Sequence, residues 1–118
     1  MRKTRRTSRV GETVRDALVE VFRHDLKDVR LAMVSITGVE VSPDLHFARV
    51  FLSGLNEDET RQIVRDLHEQ RGRIRHLLGQ KIRLRYTPEL DFRYDDTSAR
   101  AGRIEQLLRE NKPNDDND

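Results

Sequence analysis

The stretch Arg71–Arg85, RGRIRHLLGQKIRLR, decides how this chain is read. It carries six Lys or Arg, one His and two glycines, and no acid. Ile74, Leu77 and Leu78 are spaced for one face of a helix, whereas Ile82, Leu84 and Tyr86 alternate as in a strand. The pattern predicts a basic helix that turns at Gly79 into a basic strand beginning near Lys81. A packed element with cations along its outer face is an electrostatic footprint for nucleic acid.

Working back from this stretch, Ile63, Val64 and Leu67 give a preceding helix its apolar face. Asn56 followed by Glu59 marks its start, and an acid-rich first turn suits the helix dipole. Gly72 sits where the apolar face would continue. It is expected to kink the chain between two helices, the alternative being a plain C-cap. Further upstream, Val34 to Val41 is β-branched and alternating, with Gly38 as a bulge position. Ser42, Pro43 and Asp44 form a turn into a second strand, His46 to Ser53, so the two make a hairpin. A first helix is expected from about Ser8 to Leu26, carrying Val10, Val14, Leu18, Val21 and Phe22, with Thr7 or Ser8 as cap.

Downstream, Thr87 and Pro88 end or interrupt the third strand, which Leu90, Phe92 and Tyr94 extend. Asp95 to Ser98 offers caps for a last helix with Ile104, Leu107 and Leu108 as its stripe. The order is helix, strand, strand, helix, kink, helix, strand, helix. The strand–helix–helix–strand part should be a crossover onto one sheet, with helices on one face.

The 118 residues suit one domain, and with 35% hydrophobic against 37% charged residues its core is modest. A net charge of +2 hides a strong asymmetry of sign. Arg2, Lys3, Arg5, Arg6 and Arg9 make the start basic, and Asp115, Asp116 and Asp118 make the end acidic. Separating the signs in this way suggests a basic face for a polyanion. The absence of cysteine excludes disulfides and Cys-based zinc sites. No apolar core of signal-peptide length follows the basic start, and no run approaches the ~20 residues of a membrane helix. The expectation is a cytoplasmic protein with a flexible basic arm (1–6), one domain (7–111) and a disordered acidic tail (112–118).

That element order is similar to the type II KH fold, α-β-β-α-kink-α-β, here with a three-stranded sheet and a C-terminal helix, an α+β class. KH domains grip single strands through a GxxG loop. No GxxG occurs here, but Gln70-Arg71-Gly72 places a helix break in the corresponding position. Several motifs, in order, resemble the ribosome-binding factor A family of bacterial small-subunit assembly factors. Asp28-Val29-Arg30-Leu31 resembles the entry to its first strand, with Val29 where the family usually has Pro. Val41-Ser42-Pro43-Asp44-Leu45, then Ala48 and Val50, resembles its hairpin. Arg75-His76-Leu77-Leu78-Gly79 through Leu84-Arg85 resembles its second crossover helix and third strand. Pro88-Glu89-Leu90-Asp91-Phe92, with Asp95, Asp96 and Ser98, resembles its C-terminal signature. The family replaces GxxG with an Ala-x-Gly kink, and Gln70 stands here at its first position. The resemblance covers about residues 5 to 110. It implies binding to 16S rRNA in the free or immature 30S subunit, a role in late maturation and 16S processing, growth in the cold, and no catalysis.

The candidate RNA-binding residues are Arg71, Gly72, Arg73, Arg75, His76, Gln80, Lys81, Arg83 and Arg85, with Gln70 and Gly72 as the kink. Lys3, Arg5, Arg6 and Arg9 are either accessory phosphate contacts or a solubilising arm. Charge runs usually form a solvated face, but fifteen residues without an acid favour RNA. His24, His46, His68 and His76 lack the spacing of a metal pair, and of Asp91, Asp95 and Asp96, weighed together as a Mg²⁺ site, Asp95 and Asp96 are explained by a turn and a helix N-cap. No P-loop, G-x-S-x-G or G-x-G-x-x-G occurs. No cofactor, metal or enzymatic site is therefore expected, and the chain is expected to be a monomer. The aromatics fall on apolar faces and are expected in the core, so binding should rest on charge and RNA shape. The rival readings are a module that docks an acidic protein and, with less support, a hydrolase whose site has no recognisable motif.

Overall fold

The computed structural model describes residues 4–97. The expected last helix, residues 1–3 of the N-terminal arm and the acidic tail lie outside them. Helix α1 spans Arg5–Glu20 and starts earlier than the apolar periodicity suggests. Its cap is Thr4, neither Thr7 nor Ser8. The Thr4 hydroxyl accepts from Thr7 N–H (3.2 Å), and Thr7 Oγ1 accepts in return from Thr4 N–H (2.8 Å). This reciprocal box uses Thr where Glu or Gln is customary, so the sequence pattern conceals it. Arg5 and Arg6 therefore belong to the first turn of a helix rather than to a free arm.

At its other end α1 widens into a π turn, Val21–Asp25, closed by Leu26 N–H on the Val21 carbonyl (3.0 Å). A short 3-10 turn, Val29–Met33, capped by Asp28, leads into strand β1, Val34–Val41. Strand β2, Phe47–Gly54, pairs antiparallel with β1, and the register slips between Ile36 and Gly38 as a bulge. In the connecting turn, Asp44 Oδ1 accepts from Ser42 Oγ (2.6 Å) and from His46 N–H (3.0 Å).

Helix α2 spans Glu57–Glu69, with the Asn56 side chain accepting from Glu59 N–H (2.8 Å). Helix α3 follows after a single residue and spans Arg71–Lys81. Strand β3, Glu89–Tyr94, then lies parallel to β2, giving the order β1-β2-β3. The architecture is α+β and KH-like. Ala48, Val50, Leu52, Leu90 and Phe92 turn one face of the sheet inward and are buried with Val14, Leu18, Ile63, Leu67, Ile74 and Leu78 of the helices. At roughly 25 cal/mol per Å² of buried apolar surface, this joint core is the main stabilising term.

Helix α1 approaches β1 closely. A Cβ on Gly11 would lie 2.8 Å from the Val39 carbonyl oxygen, which is backbone and cannot rotate aside. Gly72 differs, since a Cβ there meets nothing within 4 Å. Gly11→Ala should destabilise the fold by about 1–3 kcal/mol despite the better helix propensity of Ala. Gly72→Ala should stabilise it by about 0.5 kcal/mol. Urea melts of the two variants check both signs.

One ion cluster joins the entry of β1 to α2. Arg30 donates through Nε and Nη2 to the two oxygens of Asp28 (2.9 and 2.7 Å), and Nη2 also lies 3.0 Å from Asp66 Oδ2. The Arg30 hydrogen bond holds the Asp28 carboxyl below the ordinary carboxylate range. The Gln62 amide, then Arg30, do the same for Asp66. Carboxyls depressed in the fold contribute stability above their unfolded pKa and lose it as pH falls through the native one. Arg30→Met should therefore be less stable than the parent at neutral pH. It should also lose less further stability between about pH 5 and pH 3, which denaturant melts across that range would measure.

Candidate nucleic-acid interface

The basic stretch forms α3 and the segment 82–88. Ile74 and Leu78 are fully buried and Leu77 is half-buried, so one side of α3 is anchored and the other is left to water. Helix α2 begins with Glu57, Asp58 and Glu59, which complement the positive end of its dipole. Helix α3 begins with Arg71 and Arg73 and has no acid in its first turn. Cations there add to the dipole's positive end, which disfavours the helix and concentrates positive potential. The exposed face thus concentrates positive charge at some cost to its own helix.

Three expectations about this stretch need correction. The third strand does not begin near Lys81. Lys81 closes α3, residues 82–88 form no strand, and β3 starts at Glu89. The alternation is nonetheless present. Ile82 and Leu84 are half-buried while Lys81, Arg83 and Arg85 are exposed. Period two reports a chain with one side on the core, and no ladder partner is implied. The ladder opens only after the fully buried Pro88, where Glu89 N–H donates to the His46 carbonyl (2.8 Å).

Gly79 does not stop α3, which runs on to Lys81. Its lack of a side chain admits Thr87, whose Oγ1 would lie 2.9 Å from a Cβ at that position. Gly72 is not the hinge either. Gln70 alone is both C-cap of α2 and N-cap of α3, with φ −98° and ψ 12°. No glycine among the described residues has positive φ, so the break uses a conformation open to any residue.

The fold separates cations that look equivalent in the sequence. Arg75 donates through Nε and Nη2 to the Thr87 carbonyl (2.9 and 2.7 Å), stapling the segment 82–88 to α3. Lys81 Nζ lies 3.1 Å from Asp25 Oδ2, so a residue distant in sequence supplies an acid that the stretch itself lacks. Arg71 Nη1 donates to the His68 carbonyl (2.9 Å), and the Arg85 guanidinium stands 5.7 Å from the Tyr86 ring centroid. Arg73 and Arg83 are exposed and have no hydrogen-bond or ion-pair partner among the described residues. Gln80 Nε2 lies 3.3 Å from His76 Nε2, within bonding reach when that nitrogen carries no proton.

Gly72, Arg75, His76, Gly79, Gln80, Arg85, Tyr86 and Thr87 line a shallow open groove between α3 and the segment that follows it. Arg5, Arg6 and Arg9 are exposed on α1, and Lys3 lies outside the described residues.

The aromatics are not uniformly core. Phe22 and Phe92 are buried, but Phe47 and Tyr86 are each 50% exposed. Tyr86 packs edge-on against His46, ring centroids 4.7 Å apart. Neither residue stands among the candidates drawn from sequence. The available signal was the place of Tyr86 next to Arg85, just before Thr87-Pro88. The histidines are dispersed, with His24 Nε2 3.3 Å from Glu20 Oε1 on the surface of the first helix. Burial pushes the Asp91 carboxyl upward, but Arg93 and Arg49, each donating at 3.2 Å, outweigh it and hold the group below the ordinary range. Asp95 Oδ1 accepts from Thr97 N–H (2.9 Å).

The sequence model of ribosome-binding factor A matches residues 6–108. The chain belongs to the ribosome-binding factor A family. It is 37% identical over 117 residues to ribosome-binding factor A of Halothermothrix orenii, covering 98% of this chain and 96% of that one. It is 37% identical over 115 residues to the Coxiella burnetii protein of the same name, covering 98% and 97%. The crystal structure of ribosome-binding factor A from Thermus thermophilus is similar with a TM-score of 0.65 at 25% identity, over 75% of this chain and 94% of that one. A Thermus thermophilus homology model, fitted into a cryo-EM map of a 30S complex of that protein, is similar with a TM-score of 0.64 at 25% identity, over 77% and 97%.

Arg75 holds the segment 82–88 as well as contributing charge. Arg75→Ala should cost about 1 kcal/mol of stability. It should also speed amide hydrogen exchange selectively in 82–88, readable by mass spectrometry.

Proposed function

We propose that this chain binds 16S rRNA in the free or immature 30S subunit through α3 and the segment 82–88. On this reading it acts as a monomeric cytoplasmic assembly factor in late 30S maturation and 16S rRNA processing, including in the cold, and catalyses nothing. The observation that carries the reading is the exposed basic side of α3 and its following segment, which contribute no acid of their own and where Arg73 and Arg83 have no partner among the described residues. Membership of the family and the Thermus thermophilus 30S complex support the choice of partner. Each phosphate neutralised releases counterions, so about four or five contacts would give a log–log salt slope of about −3 to −4.

The test uses the two unpartnered arginines, since Arg75 and Lys81 also hold the fold. Arg73→Glu with Arg83→Glu should keep the parent melting curve. The pair of changes should shift the protein out of the free small-subunit fractions on sedimentation of cell extract. A folded variant that still sediments with those subunits would overturn the site. Docking to an acidic protein is the second reading, favoured only by the same charge. Partners retained after ribonuclease treatment would support it.

A further inference from the structure

The notch between α3 and the segment 82–88 carries more than charge. Tyr86 is half exposed, and its covered half rests edge-on against His46 at 4.7 Å. That contact sets the ring's orientation, and the ring lines the groove with the Arg85 guanidinium over it, 5.7 Å from its centroid. Gly72 and Gly79 are seven residues apart, about two helical turns, and so lie on one face of α3. Gly79 is required by the fold, because Thr87 packs against it. Gly72 has no such reason among the described residues, since a Cβ there would meet open space. A helical glycine costs up to about 1 kcal/mol relative to Ala, so this bareness is a cost that the packing does not explain. Its effect is an open groove with an aromatic ring on one side and the Arg75 and Arg85 cations beside it.

Polar edges complete the notch. His76 and Gln80 sit side by side on the groove wall, and the Gln80 amide oxygen remains available to a donor beyond their mutual contact. An exposed ring, cations for a flanking phosphate, and imidazole and amide groups at the rim are the parts that hold an unstacked base. A duplex offers no free base face to such a ring.

We infer that Tyr86 is a stacking platform for a single unpaired RNA base, held in the groove floored by Gly72 and Gly79. The inference rests on the RNA-binding reading of this face and adds a preference for unpaired nucleotides. It also explains why Tyr86 lies on the surface beside the arginines rather than in the core.

The test is fluorescence anisotropy with two probes, a labelled oligoadenylate and an RNA duplex of equal length. Tyr86→Ala should weaken oligoadenylate binding roughly tenfold or more, the range of base–aromatic stacking, with an unchanged salt slope. Duplex binding should not move, and Tyr86→Phe should restore the oligoadenylate affinity. Gly72→Leu fills the groove from open space without disturbing the core, so it should reproduce the loss while melting no lower than the parent. Were Tyr86→Ala to misfold, Gly72→Leu would decide the matter alone. Folded variants of both kinds that bind oligoadenylate as the parent does would overturn the inference. So would a parent chain that binds only the duplex. If Arg73→Glu with Arg83→Glu abolishes subunit binding in that case, the RNA-binding face stands and only the base platform falls. If neither class of variant affects any RNA, the face itself is misassigned.

Discussion

The parallel pairing of β2 with β3 is the constraint on which the rest of the structure depends. Two parallel neighbours cannot be joined by a tight turn, so the chain must travel back along the sheet before the second strand begins. Helices α2 and α3 make that return, and burial requires each to lay its apolar side on the sheet. The outer side of α3 is then exposed by geometry. The core does not need the residues there, because Ile74 and Leu78 fill it from the other side.

The start of β3 is equally constrained. Pro88 cannot donate to a ladder, and its burial seats the chain so that Glu89 opens the pairing at the His46 carbonyl. Everything between Lys81 and Pro88 must bridge the end of α3 and that point without a strand partner. Arg75 holding Thr87, and Thr87 resting on Gly79, supply the restraint that a ladder would otherwise provide. The groove is a consequence of this arrangement, with its walls on two elements tied together by one arginine.

Charge is distributed with similar economy. Acids gather at the start of α2, where the dipole favours them, and are missing from the start of α3, where it would also favour them. Helices that differ in this way within one crossover show that helix stability alone did not shape α3. The cluster of Arg30 with Asp28 and Asp66, by contrast, is a closed set whose charges satisfy one another.

The apolar stripes of the three described helices, the hairpin with a bulge beside Gly38, the Asn56 cap and the acid-free basic stretch were all legible in the sequence. Each depends on residues near one another in the chain, and local pattern records local requirements. The alternation of Ile82 and Leu84 was also legible, but it reports only that one side of the segment rests on the core. Tertiary structure alone decided that no strand pairs there and that the ladder waits for Glu89, since a hydrogen-bond partner is a property of two segments. It alone gave Asp25 to Lys81 and Thr87 to Arg75 while leaving Arg73 and Arg83 without partners among the described residues. It also kept half of Tyr86 in water, because a ring's exposure depends on what packs around it and not on its own hydrophobicity.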